Sequence, residues 1–112
     1  RPDGYYGIGK AFGESLGRYY SEKYNMSIMC LRIGTVNPEN KPKDIRHFAT
    51  LLTHSDLIHL VESCIKASDD IRFGIYYGVS NNKWRIWDIG NSQTEISYSP
   101  KDNAEFYRGK TF

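Results

Sequence analysis

Apolar residues recur at intervals of three and four along the first part of the chain. From about Tyr6 to Lys23 they form one stripe, which predicts an amphipathic helix that ends at Asn25. A second row on this helix carries two glycines, which weaken a helix and therefore indicate that another backbone approaches it closely. The stripe consists of Ile8, Ala11, Phe12, Ser15, Leu16 and Tyr19, and the second row of Tyr6, Lys10, Gly13 and Gly17.

Two later segments have the pattern of buried strands. Met26 to Ile33 is a nearly continuous apolar run that Gly34 ends, which is typical of a strand buried on both faces of a parallel sheet. Arg72 to Val79 is a second strand, rich in aromatic residues. Helices and strands that alternate in this way predict an α/β fold. Two strands and three helices cannot close a doubly wound sheet, so we expect half of a larger architecture.

The remaining segments are shorter. A loop rich in Asn, Lys and Pro runs from Thr35 to Asp44, and an apolar segment of undetermined type follows from Ile45 to Leu52. Ser55 is the predicted N-cap of a helix that starts at Asp56 and ends near Ala67. The apolar face of this helix comprises Leu57, Leu60, Val61, Cys64 and Ile65. The last predicted elements are a helix over Trp87–Ile96, a turn at Tyr98–Pro100 and a helical turn at Ala104–Tyr107.

Length and composition narrow the class of protein. A chain of 112 residues supports one domain, and its 15 basic and 13 acidic residues give a net charge of +2. No block of like charges or bilayer-length apolar run appears, so we expect no nucleic-acid or membrane partner. Cys30 and Cys64 lie in apolar patterns, as reduced core cysteines of a cytoplasmic protein do. His47, His54 and His59 lack a metal-binding spacing, so we expect no metal site.

Tyr6 and Lys10 are the strongest candidates for chemistry. Their spacing of four residues is about one helical turn, so both side chains lie on one helix face. A nearby ammonium favours the phenolate form of a tyrosine, which can then accept a proton in general acid–base catalysis. The same spacing also occurs by chance in amphipathic helices, so the surrounding sequence has to decide between the two interpretations.

The stretch Tyr6–Glu14 resembles the Y-x-x-x-K segment of the short-chain dehydrogenase/reductase superfamily. It is most similar to the extended branch, the NAD-dependent epimerase/dehydratase family, although Gly9 stands where that pattern often has Ser. Within the branch, the chain most resembles the C-terminal half of the uronate dehydrogenases, in the same order and over nearly its whole length. The further segments that carry the resemblance are Leu31–Thr35, Ser55–Leu57, Tyr77–Asn82, Trp87–Asp88 and Tyr98–Glu105.

The resemblance implies that residues 1–112 are the C-terminal portion of an NAD-binding Rossmann-like domain, with the substrate-binding segments. The doubly wound sheet would be incomplete here, because the half with the cofactor fingerprint precedes the Tyr in the family. The implied activity is oxidation of a sugar acid at C1 to a lactone, with NAD as cofactor. In the family the residue at Tyr6 is the general acid or base, and the one at Lys10 binds the nicotinamide ribose and tunes the Tyr. The backbone at Ile33 and Gly34 would approach the nicotinamide.

Thr35 and Arg46 are the candidate substrate contacts. In the similar enzymes the position of Thr35 is commonly Ser and faces the substrate, and Thr keeps the hydroxyl. Arg can bind a carboxylate through two hydrogen bonds, and the family has an Arg downstream of this loop. The loop has three extra residues, Lys41-Pro42-Lys43, so Lys43 is a rival cation and a solvated surface role for Arg46 stays open.

Two other functions remain open at this point. One is a nucleotide-sugar epimerase or dehydratase that uses the same Tyr–Lys pair, although the short distance from Arg46 to the chain end leaves little room for its larger substrate domain. The other is a non-catalytic remnant or interaction module. In the extended branch the first helix commonly joins a bundle between subunits, which implies a homodimer through the face containing Gly13 and Gly17.

Overall fold

The computed structural model describes residues 4–110 and has the α/β architecture predicted from the sequence. Two parallel strands form a small sheet, β1 (Ile28–Ile33) and β2 (Phe73–Gly78). The α-helices are α1 (Tyr5–Tyr24), α2 (His47–Thr50), α3 (His54–Ile65) and α4 (Gly90–Glu95), and a 3₁₀ helix spans Ala104–Tyr107. None of the helices in this described part is long and apolar enough to cross a membrane.

The chain divides into two compact units. One comprises residues 1–30 and 68–75, and the other residues 31–67 and 76–112. In the first unit, α1 ends at Asn25, which adopts the left-handed conformation with φ of 55°. Ser21 donates a hydrogen bond of 2.8 Å from Oγ to the Arg72 carbonyl, and Ile28 N donates to the same oxygen at 2.8 Å.

The face of α1 that packs within this unit is made of small side chains. A Cβ on Gly17 would lie 3.1 Å from Ile28 Cγ2 and 3.6 Å from the Phe73 ring, so this glycine allows side chains to approach closely, where the sequence predicted a backbone. Gly13 has open space around it. The larger apolar residues of the predicted stripe are exposed instead: Ile8, Phe12, Leu16 and Tyr19.

The second unit holds most of the buried apolar residues. The extended segment after α2 contributes Leu51, whose backbone pairs in parallel with Thr35 and accepts a hydrogen bond from Ser80 N at 2.8 Å. The Tyr98 hydroxyl donates to the Val79 carbonyl at 2.7 Å, and burial raises the pKa of this phenol. The fully buried apolar residues around this segment are Leu51, Leu52, Leu60, Tyr76, Val79, Ile89 and Ala104.

Four sequence predictions about these elements were wrong in detail. The N-cap of α3 is Thr53, because this residue is buried and its Oγ1 accepts a hydrogen bond from Asp56 N. The helix therefore starts at His54. The apolar face of α3 is incomplete, since Ile65 is 77% exposed. The last α-helix is shorter than predicted and starts at Gly90, and β1 is only partly buried.

Candidate functional site

The segment that follows β1 is held by backbone hydrogen bonds on two sides. Gly34 N donates to the Gly78 carbonyl at 2.8 Å, and Thr35 N donates to the Thr50 carbonyl at 2.7 Å. A Cβ on Gly34 would run into the Thr50 carbonyl oxygen, so this position requires a glycine for the approach of another backbone. Gly34, which the resemblance assigns to the cofactor, therefore also has a structural role at the end of β1.

The two predicted substrate residues of this unit are connected through a residue that the sequence did not single out. Thr35 Oγ1 lies 2.8 Å from Thr50 Oγ1, and Thr50 Oγ1 donates to the Arg46 carbonyl at 3.3 Å. Thr50 is buried, whereas the side chain of Arg46 is exposed. The fold thus brings the Thr35 hydroxyl and the Arg46 backbone onto one hydrogen-bonded chain.

The backbone around Arg46 is fixed by two neighbouring side chains. Asp44 Oδ1 accepts from Arg46 N at 2.9 Å and from His47 N at 3.3 Å, as a helix-capping carboxylate does. His47 Nδ1 accepts from Lys43 N at 2.9 Å, which ties the extra residues of the loop to the start of α2. Arg46 is therefore presented from an ordered helical turn.

The two rival cations of the loop differ in their partners. Lys43 Nζ forms an ion pair with Glu39 Oε1 at 3.0 Å, and that hydrogen bond lowers the pKa of the Glu39 carboxyl. Within residues 4–110, the guanidinium of Arg46 has no hydrogen-bonding or ionic partner. Arg46 is thus better placed than Lys43 to bind an external carboxylate.

The first half of the same loop is anchored to α3. Asn37 and Lys41 exchange hydrogen bonds, from Asn37 Nδ2 to the Lys41 carbonyl and from Lys41 N to Asn37 Oδ1. Asn40 has a φ of 58°, and its Oδ1 accepts from His54 N at 2.8 Å. The His54 ring nitrogen Nε2 bonds the Asn37 carbonyl at 2.7 Å. The side chain of His54 therefore forms a structural hydrogen bond.

Tyr6 and Lys10 lie in the other unit, on the first turns of α1. The Lys10 ammonium is 5.3 Å from the centroid of the Tyr6 ring, so the predicted proximity of the pair is present as a cation–π contact. Tyr6 is 80% exposed, and Lys10 is exposed as well. The pair is accessible to a ligand.

Ile33 and its neighbour Arg32 have packing roles. Ile33 Cδ1 lies over Gly78, where an added Cβ would come within 2.9 Å of it. Arg32 Nη1 donates to the Tyr77 hydroxyl at 3.2 Å, and the Tyr77 ring stacks on Trp87 with centroids 5.3 Å apart. Arg32, Tyr77 and Trp87 therefore form a three-layer stack.

A surface cleft of about 440 Å³ lies elsewhere in the second unit. It is lined by Asn40, Thr53, Lys101, Asp102, Asn103, Phe106 and Tyr107. None of the predicted site residues lines it. Between residues 4 and 110 no group of three His, Cys, Asp or Glu side chains is arranged to hold a metal ion.

The chain is similar in sequence to several sugar dehydrogenases. The chain is 40% identical over 108 residues to the NAD-dependent glucose-6-phosphate dehydrogenase of Haloferax volcanii, covering 95% of this chain and 40% of that protein. It is 36% identical over 110 residues to the uronate dehydrogenase of Pseudomonas syringae pv. tomato, covering 98% of this chain and 38% of that protein. No protein-family model matches the chain.

Solved structures give the same result. The crystal structure of uronate dehydrogenase from Agrobacterium tumefaciens superposes with a TM-score of 0.89 at 35% identity, over 97% of this chain and 40% of that one. A variant of that enzyme has been crystallised in complex with NAD. The chain corresponds to a segment of the uronate dehydrogenases and related sugar dehydrogenases, which confirms the resemblance found in the sequence. It spans about 40% of the length of the relatives it matches.

Proposed function

We propose that the protein containing this chain is an NAD-dependent dehydrogenase that oxidises the C1 hydroxyl of a uronic acid to a lactone. The observation that carries the proposal is the unpaired Arg46 guanidinium on an ordered turn that is hydrogen-bonded, through Thr50, to the Thr35 hydroxyl. A planar carboxylate matches the fork of a guanidinium, whereas a neutral sugar offers it nothing comparable. The whole protein would add the cofactor-fingerprint half upstream of this chain.

The roles of the four residues follow from their chemistry. As a hydride leaves C1, Tyr6 accepts the proton of the C1 hydroxyl, and the C1–O bond becomes the lactone carbonyl. Lys10 carries its positive charge beside Tyr6, with the ammonium 5.3 Å from the centroid of the ring. Thr35 hydrogen-bonds a sugar hydroxyl, and Arg46 binds the carboxylate at the far end of the sugar.

The residues present are compatible with NAD, which supplies the hydride acceptor. The Lys10 ammonium, with its three donors, lies exposed next to Tyr6, and a ribose diol offers matching acceptors. The backbone at Ile33 and Gly34 ends β1, and ligands of open α/β sheets lie beyond the carboxyl ends of strands. Both assignments are part of the proposal.

The substrate assignment is tested by replacing Arg46. Arg46→Ala should cost about 2–5 kcal/mol of transition-state binding for D-glucuronate, measured as kcat/KM, and leave the weak use of D-glucose unchanged. Lys43→Ala is the matched control, because Lys43 is already paired with Glu39. A loss in Lys43→Ala without one in Arg46→Ala would move the carboxylate site to Lys43.

A hexose 6-phosphate is the second candidate substrate. The relative from Haloferax volcanii, named as a glucose-6-phosphate dehydrogenase, is 40% identical to the chain. A phosphate would occupy the same cationic turn as a carboxylate, so kcat/KM for D-glucuronate and for D-glucose 6-phosphate must be compared in one preparation. Turnover of neither, with binding of a nucleotide sugar, would favour an epimerase. No binding of NAD by the whole protein would favour a non-catalytic interaction module.

The assembly and the location belong to the same proposal. We infer a homodimer through the exposed apolar residues of α1, because Gly17 is covered by the chain's own strands and a partner helix cannot use it. Both cysteines are free thiols, which suits the reducing cytoplasm.

A further inference from the structure

Thr50 occupies a position between the two proposed substrate residues that no motif accounts for. It ends α2, is only 6% exposed, and its hydroxyl contacts Thr35 Oγ1 at 2.8 Å and the Arg46 carbonyl at 3.3 Å. Its own carbonyl accepts from Thr35 N at 2.7 Å. Thr50 therefore bonds Thr35 through both main chain and side chain, and bonds Arg46 as well.

Both contacts of the Thr50 hydroxyl are hydrogen bonds at the same time in only one direction of this chain of hydroxyls. A carbonyl oxygen can only accept, so the single hydroxyl proton of Thr50 goes to the Arg46 carbonyl. Thr50 Oγ1 must then accept from Thr35, and Thr35 donates its own proton inward. What Thr35 still offers to a ligand is lone pairs, so it can accept a hydrogen bond but not donate one.

We propose that Thr50 is a positioning residue that holds Thr35 as an acceptor for a sugar hydroxyl and fixes the main chain from which Arg46 extends. The inference rests on the proposed function and names what orients its two substrate contacts. Thr50 touches neither substrate nor cofactor. Its effect is transmitted through Thr35 and Arg46.

The test compares three variants of the whole protein with D-glucuronate as substrate. Thr50→Val keeps the shape and removes the hydroxyl, and it should raise KM about tenfold with kcat within about twofold, because two oriented hydrogen bonds are lost. Thr50→Ser restores the hydroxyl and should return KM to within about twofold. Thr94→Val is the matched control, since Thr94 makes the same backbone bond, to the Gly90 carbonyl at 3.0 Å, away from the site.

Two further measurements separate the possible failures. Thr50→Val should have no additional effect in a protein that already carries Thr35→Ala and Arg46→Ala, because its effect passes through those residues. If Thr35→Ala and Arg46→Ala raise KM and Thr50→Val does not, this inference fails and the proposed function stands. If neither of those two variants changes KM, the proposed substrate site itself fails.

A crystal structure of Thr50→Val gives a result that needs no turnover. With its acceptor gone, the Thr35 hydroxyl should rotate to another partner, and the Arg46 carbonyl should shift or bind water. An unchanged Thr35 side chain together with an unchanged Arg46 turn would overturn the proposal.

Discussion

The Tyr6–Lys10 pair of helix α1 and the polar side chains of the segment from Thr35 to Thr53 lie in different environments. Tyr6 and Lys10 on α1 are exposed, and the Lys10 ammonium contacts the Tyr6 ring. In the Thr35–Thr53 segment, hydroxyl, amide and carboxylate groups bond to one another and to backbone groups, and its last four residues are buried. Substitutions on α1 should therefore change activity or association without changing stability, whereas substitutions around the segment should change stability first.

Tyr6 is the position at which we expect a substitution to lower activity most while leaving stability unchanged. Tyr6→Phe removes only the hydroxyl that we propose accepts the substrate proton, so kcat of the whole protein should fall by about 10²-fold or more, the range of general acid–base effects. The melting temperature should stay the same, because the side chain is 80% exposed. Tyr5→Phe is the control, since it makes the same change at the neighbouring exposed tyrosine. Unchanged turnover in Tyr6→Phe would remove Tyr6 from the chemistry.

At Asp56 we expect a substitution to lower the stability of the fold first. This buried carboxylate accepts from Lys101 N at 2.9 Å and from Asp102 N at 3.1 Å, and so joins the start of α3 to the segment before the 3₁₀ helix. Asp56→Asn leaves one acceptor for two buried N–H groups and should lower the free energy of unfolding by about 1–3 kcal/mol in chemical denaturation. Asp88→Asn is the exposed counterpart, with a single backbone donor at Gly90, and should cost much less.

Tyr98 gives a smaller effect with a defined pH dependence. Its hydroxyl donates to the Val79 carbonyl, and burial followed by the charges of Asp56 and Asp102 raises the pKa of the phenol. A raised pKa in the folded state means that this stability is complete below the unfolded pKa of about 10 and is lost as the pH rises further. Tyr98→Phe should cost about 0.5–1.5 kcal/mol at neutral pH and weaken the alkaline destabilisation. An unchanged alkaline limb would show that this phenol is not responsible for it.

The sequence predicted those parts of the fold that depend on local pattern. Apolar runs located β1 and β2 to within two residues, and the left-handed Asn25 and the 3₁₀ helix fell where they were expected. The sequence-based prediction was wrong where tertiary contacts determine which of two similar residues takes a structural role. Thr53 and Ser55 are equally good caps locally, but Thr53 N bonds the buried Ser80 hydroxyl, which fixes the start of α3 there.

Some residues of the candidate site could be predicted from the sequence, and others could not. Tyr6, Lys10, Thr35 and Arg46 were identified by spacing, side-chain chemistry and resemblance. Thr50 carries no motif, and its link to Thr35 spans 15 residues that fold back only in the tertiary structure. The partner of Gly17 could not be predicted, because a glycine that permits close packing does not reveal what packs against it, and here side chains of the chain's own strands do so.

The smallest effect on stability is expected at the exposed apolar residues of α1, where association is the quantity that should change. Phe12 is 66% exposed, and it belongs with Ile8, Leu16 and Tyr19 to the exposed apolar row through which we propose the homodimer forms. Phe12→Glu should convert the dimer to a monomer in sedimentation equilibrium while changing the free energy of unfolding of the subunit by about 0.5 kcal/mol or less. Ile65→Glu places the same charge on an equally exposed apolar position of α3 and should leave the dimer intact. A dimer that survives Phe12→Glu but is lost in Ile65→Glu would move the interface from α1 to α3, and a wild-type protein that sediments as a monomer at high concentration would exclude both.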